Sequence, residues 1–249
     1  MAFFTQLHHK LNSVARYTAN PHLFLIRQRG GNPSTFLQLN QPWLHALNIQ
    51  TVIDIGANTG LFARTINLVL PDAQIYSFEP IPECFEKLKQ EMQHVKNFAA
   101  FNFGIGEYPG QLEFEQNEYS LSSSFLKMNN LHKEEFPQTK NSKLISLQIE
   151  PLDSIAEKIL LHKPILIKID TQGYEDRVLI GGEKTIKNAK VVIIETSFAE
   201  LYKGQPLFND IYNKLVGWGF SYSGALEQLH SPTTGQCLQE DSIFLKNSF

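Results

Sequence analysis

"TVIDIGANTG", residues 51–60, decides the fold. An apolar run ends in Asp54, and Gly56 and Gly60 follow at close spacing. In open α/β sheets, ligands bind beyond the carboxyl ends of strands where the strand order switches, and a strand–glycine turn–helix passage marks that place. Gly56 lets backbone approach a ligand closely, and Gly60 permits tight packing where the helix begins. The first turn of that helix offers N–H groups without intrahelical partners. The spacing is not the G-x-G-x-x-G of dinucleotide sites. Asp54 narrows the ligand further, because a carboxylate repels a pyrophosphate and attracts an ammonium group or an ordered water. The plainer alternative is that Asp54 only caps its turn.

Downstream, Leu61, Phe62, Thr65, Ile66 and Val69 have helical spacing and stop before Pro71. "QIYSFEP" reads as a second strand reaching Glu79, Pro82 opens the next helix, and a third strand is expected near 98–103. This β-α-β-α-β order predicts a parallel sheet with helices on both faces. "GQLEFEQNE" and "SKLISLQIE" alternate like exposed strands, so residues 107–150 read as an inserted hairpin with a loop. "PLDSIAEKIL" reads as a helix with Asp153 as its N-cap. "PILIKID" and "KVVIIETS" are nearly continuous apolar runs, as strands buried on both faces should be. One helix is expected from about Tyr174 to Asn188 and another over 206–216. "WGFSYSGA" and "DSIFLKN" then finish the chain as antiparallel strands.

The 249 residues are 42% hydrophobic and 19% charged, which suits one large α/β domain with a full core. The net charge of −3 gives no case for nucleic acid as a partner. No Asp or Glu precedes Asp54, whereas Lys10, Arg16, Arg27 and Arg29 are basic. Phe3, Phe4, Leu7, Leu11 and Val14 give residues 3–16 helical spacing, and "RGGNPSTF" at 29–36 breaks it. Residues 1–40 therefore read as a basic helical arm ahead of a domain spanning 41–249. That arm suits a peripheral membrane contact, a subunit contact or a cap on the domain. Cys84 and Cys237 have no metal spacing, and no run approaches the roughly 20 apolar residues of a membrane span. A cytoplasmic location is the expectation.

Glu79 lies 25 residues after Asp54 at the end of the second strand, near the spacing at which an acid meets ribose hydroxyls. Together the two acids point to an adenosine ligand with a neutral or cationic tail.

"VIDIGANTGLFA", "YSFEPIPECFEKL", "IKIDTQGYEDRVLIGG" and "VVIIETS" occur in this order. They resemble the FkbM family of S-adenosylmethionine-dependent methyltransferases over roughly residues 50–246. The resemblance implies a Rossmann-like methyltransferase fold, a seven-stranded sheet with an antiparallel last strand. It also implies O-methylation of hydroxyls on sugars, glycans or glycosylated natural products. By the same resemblance Asp54, Gly56, Asn58 and Gly60 surround the methionine part of S-adenosylmethionine, and Glu79 holds the ribose. Asn102, Phe103 and Gly104 lie near the adenine. The family's block D-x-E-G-x-E is here Asp170-Thr171-Gln172-Gly173-Tyr174-Glu175, so an amide replaces the middle acid.

Methyl transfer to a hydroxyl needs alignment, a dry pocket and a group that takes up the proton. Asp170, ending a buried strand, is the first candidate base, with an orienting carboxylate as its alternative. Glu195 ends the next strand beside it, and the two acids together are candidate ligands for Mg²⁺. His132, in the inserted loop, is a second candidate base. Glu175 opens a helix, where the macrodipole alone favours an acid. "SLSSSF" at 120–125 suits a polar loop over a hydroxylated acceptor. Trp43, Trp218 and Tyr222 can stack on a sugar, although aromatics in apolar segments are far more often core. A non-catalytic methyltransferase-like binding module and an NAD-dependent oxidoreductase are the alternatives.

Overall fold

The computed structural model describes residues 21–117, 126 and 142–247. Ten strands are present among them: β1 (Thr51–Ile55), β2 (Gln74–Phe78), β3 (Phe98–Phe101), β4 (Gly104–Ile105), β5 (Gly110–Asn117), β6 (Ser142–Glu150), β7 (Ile165–Ile169), β8 (Val191–Ser197), β9 (Phe220–His230) and β10 (Cys237–Lys246). Seven form one sheet in the order β3-β2-β1-β7-β8-β10-β9. β3, β2, β1, β7 and β8 run parallel. β10 lies antiparallel between β8 and β9, as the expected antiparallel finish requires. The strand order reverses between β1 and β7, which places the switch point at the glycine turn.

The central strands are buried on both sides, and alternate residues feed two cores. Ile53, Ile55, Ile167, Ile169, Val192 and Ile194 face one layer. Its helices are α6 (Leu152–Ala156), α7 (Glu175–Gly181), α8 (Glu183–Lys187) and α9 (Phe208–Gly217). Val52, Ile75, Leu166, Val191 and Ile193 face the other. That side is covered by α1 (Pro21–Gln28), α2 (Pro33–Leu39), α3 (Pro42–His45), α4 (Leu61–Val69) and α5 (Pro82–Met92).

The stretch expected to end a separate arm instead starts a helix. Asn32 accepts the N–H groups of Ser34 and Thr35, and Pro33 occupies the first turn of α2, where it lacks nothing the helix needs. Phe36 and Leu39 of α2, with Ile26 of α1, join the core beneath β1. Residues 21–39 are thus part of the domain's packing, whereas residues 3–16 lie outside the described residues.

Two local expectations are corrected. The helix expected over 174–188 divides at Gly182 into α7 and α8. Asp153 does not cap its own helix, whose cap is Pro151. Its carboxylate crosses to α8 and accepts the N–H groups of Lys184 and Thr185 and the Thr185 hydroxyl, at 2.7–3.0 Å. The orphan N–H groups of a helix start can be met by any near acceptor, not only a local one.

The inserted hairpin is present as β5 against β6, antiparallel, with β4 completing a separate three-stranded sheet. Ile81, Cys84, Phe114 and Leu147 give it a small core of its own. "SLSSSF" falls outside the described residues.

Candidate active site

The turn after β1 rests on the end of β7. Gly56 has φ +80°, and a Cβ there would lie 1.8 Å from the Asp170 carbonyl oxygen, so no side chain fits. The N–H groups of Gly56 and Ala57 both donate to the Phe78 carbonyl, extending the β1–β2 contact past the strand ends. Gly60, at φ +84°, caps α4 against Leu88. Asn58 also has positive φ (48°), and its side chain accepts the Thr59 N–H. From the far side, the Arg64 guanidinium donates to the carbonyls of Thr59 (2.7 Å) and Gly30 (2.8 Å), tying this turn to the start of the α2 segment.

Both expected cofactor acids are buried beside it. Asp54 accepts one hydrogen bond from the Ser77 hydroxyl at 3.2 Å. Burial raises its pKa to about 7, against the opposing pull of Lys168 and Ser77. Glu79 accepts the N–H groups of Asn58 (2.7 Å) and Ile81 (2.8 Å), one on each oxygen. Burial raises it to about 7 as well, only partly offset by those bonds. Each Glu79 oxygen retains a lone pair for a further donor such as a ribose hydroxyl. Two desolvated acids poised near neutrality fit a ligand that brings a cation and a diol.

Asn102, just beyond β3, donates to the carbonyls of Glu79 and Pro80 and so braces the Glu79 loop. Phe103 packs its ring 5.7 Å from both Phe78 and Phe101. Gly104 is buried in β4, paired with Ile149.

The second group of candidates converges at the ends of β7 and β8. Lys168, buried in β7, donates to Asp241 at 2.7 Å and to Asp170 at 3.4 Å. Burial alone would lower its pKa, but Asp241 and Asp170 outweigh that and raise it, so the amine stays charged. Gln172 lies between the two expected catalytic acids. Its amide nitrogen donates to Asp170 Oδ1 (3.0 Å) and to both Glu195 oxygens (2.9 and 3.0 Å). Its amide oxygen accepts the hydroxyl of Tyr202 at 3.0 Å. Burial, and then the neighbouring Asp170 and Glu175, push Glu195 well above the usual carboxylate range. Asp170 is the more open of the pair, with 37% of its side chain exposed. Glu175 accepts the N–H groups of Thr171 and Gly173 and the Thr171 hydroxyl, so it shapes the loop that presents Gln172.

A cavity of about 230 Å³ opens over this group, lined by Asp170, Glu195, Glu227, Gln239, Glu240 and Asp241. Glu227 reaches the other way to Thr35 (2.7 Å) and Asn32 (3.3 Å), joining the cavity wall to α2. Glu240 accepts from Tyr222, Gln228 and Ser242.

The arrangement does not fit Mg²⁺ on Asp170 and Glu195. The bridging position between them is taken by an N–H donor, which cannot ligate a cation, and no metal-ligand group of three His, Cys, Asp or Glu occurs among the described residues. His132 lies outside the described residues. Trp218 packs against the core under β9, and Tyr222 meets Phe208 and Phe244 edge-on.

Sequence reasoning passed over Lys168, Tyr202, Glu227 and Asp241. Only Lys168 left a signal: a cation inside "PILIKID", a run otherwise free of charge before its final Asp. The others are brought in by tertiary folding, Asp241 by lying opposite Glu195 across the sheet, Tyr202 from the segment after β8.

The chain is similar to known methyltransferases. The Methyltransferase FkbM domain model matches residues 54–222, beginning at Asp54. The 2-O-methyltransferase NoeI of Sinorhizobium fredii is 30% identical over 161 residues, 62% of this chain and 66% of that protein. The hexuronic acid methyltransferase AglP of Haloferax volcanii is 25% identical over 143 residues, 57% of this chain and 54% of that protein. The chain thus matches less than two thirds of the length of each of these relatives. The crystal structure of an FkbM methyltransferase from Methylobacillus flagellatus superposes with TM-score 0.51 at 13% identity, covering 94% of this chain and 60% of that one. With the family model spanning well over half of its length, the chain belongs to the FkbM methyltransferase domain family.

Proposed function

We propose that the protein is an S-adenosylmethionine-dependent O-methyltransferase acting on a hydroxyl of a sugar, a glycan or a glycosylated natural product. The observation that carries this reading is the position of Asp170. It lies at the end of β7, under the Gly56 turn, and opens into a cavity of about 230 Å³. S-adenosylmethionine, when bound, supplies a methyl group already activated by its sulfonium. The chain's own task is to aim one hydroxyl, keep water out and take up a proton. Asp54 and Glu79 are the groups we assign to the amino-acid tail and the ribose. We assign Asp170 to accept the acceptor's hydroxyl proton, which would leave as the methyl's C–S bond to the sulfonium breaks, giving S-adenosylhomocysteine, and its C–O bond forms. Lys168 lies 3.4 Å from Asp170, while burial raises Glu195 well above the usual carboxylate range.

The lining also bears on the acceptor. Asp170, Glu195, Glu227, Glu240 and Asp241 are five acids around one cavity, and the buried Lys168 pairs with two of them, Asp170 and Asp241. Such a lining welcomes hydroxyls and amines and disfavours a carboxylate on the sugar. We therefore assign a neutral or amine-bearing sugar rather than a uronate.

Transfer of labelled methyl from S-adenosylmethionine to a panel of neutral, amino and uronic sugars, free and as glycosides, tests the reading. Label is expected on neutral or amino acceptors and falls about 100-fold or more in Asp170→Ala, the usual worth of a positioned base. In calorimetry, S-adenosylhomocysteine binds and NAD does not. Binding of NAD alone, or full activity of the Asp170 variant, rejects it.

A further inference from the structure

We propose that Gln172 is a positioning residue that does the work of a bridging cation, clamping Asp170 and Glu195 at the acceptor cavity through its amide. The inference deepens the methyl-transfer reading and rests on it only for its kinetic part.

The amide nitrogen carries two hydrogens, and both are committed: one side meets Asp170 Oδ1 at 3.0 Å, the other the two Glu195 oxygens at 2.9 and 3.0 Å. That is the place a metal ion would take between two carboxylates. The orientation of the amide is set from behind. Tyr202, with no exposed surface, donates its hydroxyl to Gln172 Oε1 at 3.0 Å, which turns the N–H₂ toward the acids. Rotating the amide would set a carbonyl oxygen against two carboxylates and lose both donors at once.

The backbone is built for this presentation. Gln172 has φ +55°, a left-handed conformation that is strained for a residue with a side chain. The surrounding structure imposes it, because Glu175 binds the N–H groups of Thr171 and Gly173 on either side. A glutamate at this position would bring a third carboxylate to the same point. Like charges at that range are tolerated only with added protons or a cation. The amide removes both needs, and it leaves for an acceptor hydroxyl the remaining lone pairs of Asp170, whose Oδ2 also meets Lys168 at 3.4 Å.

The test compares wild type with Gln172→Glu in the full chain. Mn²⁺ binding is followed by the loss of the free-ion electron paramagnetic signal, folding by thermal melting, and S-adenosylhomocysteine binding by calorimetry. Gln172→Glu is expected to bind Mn²⁺ about tenfold or more tighter than wild type. Its affinity for S-adenosylhomocysteine stays the same, its kcat falls about 100-fold without Mn²⁺ and recovers in part with it. Equal Mn²⁺ affinity in the two proteins, or an unchanged kcat that ignores Mn²⁺, overturns the proposal. If Gln172→Glu fails to fold, Tyr202→Phe replaces it. Freed from its lock, the amide then costs about tenfold in kcat with cofactor binding unchanged, and wild-type kcat overturns the proposal. Should wild type transfer methyl to no acceptor, the functional reading fails, while the Mn²⁺ comparison, which needs no turnover, still decides the role of Gln172.

Discussion

At Asp54 the proposed cofactor role would tie binding to pH. Burial holds it near 7 in the protein alone, and Glu79 is held near 7 by the same cause. A raised acid favours the folded state while protonated. Its contribution is therefore complete below about 4 and is lost as pH rises through about 7. Cofactor binding runs the other way. On the proposed assignment, an ammonium group beside Asp54 and a diol on Glu79 would both prefer the ionised acids, so binding is expected to release protons and to strengthen as pH rises through about 7. Calorimetry of S-adenosylhomocysteine at pH 6, 7 and 8 is expected to show affinity climbing by up to about tenfold per unit below the midpoint. In buffers of different ionisation enthalpy it should register proton release. Asp54→Asn is expected to bind more weakly and to lose part of this slope. A flat profile in wild type would mean that neither acid meets the ligand.

Strand β7 carries the one buried cation of the sheet's central rows, and its partners lie on other elements. Lys168 sits beside Asp54 in register and is bonded to Asp241 of β10 and to Asp170. Lys168→Met keeps the volume but strands two acids, and a loss of about 3–5 kcal/mol is expected in urea unfolding. A change below about 1 kcal/mol would show that the acids simply take up protons. This pairing also marks how far the sequence could be read. β1, β2, β7 and β8 were legible because burial on both faces writes a continuous apolar run, and α5 because Pro82 sits at its first turn. The glycine turn was legible because its geometry excludes every other residue at Gly56. What stayed hidden depends on partners far along the chain. Asp153 looks like a local cap and serves α8 instead, and the break at Gly182 comes from packing against Leu152. Asn32 and Pro33 were read as an interruption because a helix start and a loop share the same letters. Within the candidate site, Asp170 and Glu195 were found from strand ends, whereas Tyr202 and Asp241 are placed by tertiary folding alone.

The family match, residues 54–222, is smaller than the folding unit. Outside it lie α1, α2 and α3, the first three residues of β1, eight of the eleven residues of β9 and all of β10, which together supply Ile26, Phe36, Leu39, Leu226 and Phe244 to the two cores. A fragment cut at those limits is expected to show no cooperative thermal transition, while the full chain melts in one step. A cooperative melt of the fragment would make the flanking segments accessory. The position of β10 carries a further consequence for how the protein comes into being. It is the last of the described strands in sequence order, yet it is wedged between β8 and β9, which are made before it. While a ribosome is still delivering the earlier segments, β8 and β9 have no strand to join them, and Lys168 lacks its nearest counter-ion. The sheet cannot be assembled by adding strands in order of synthesis. The join between β8 and β9 can form only once β10 has been delivered.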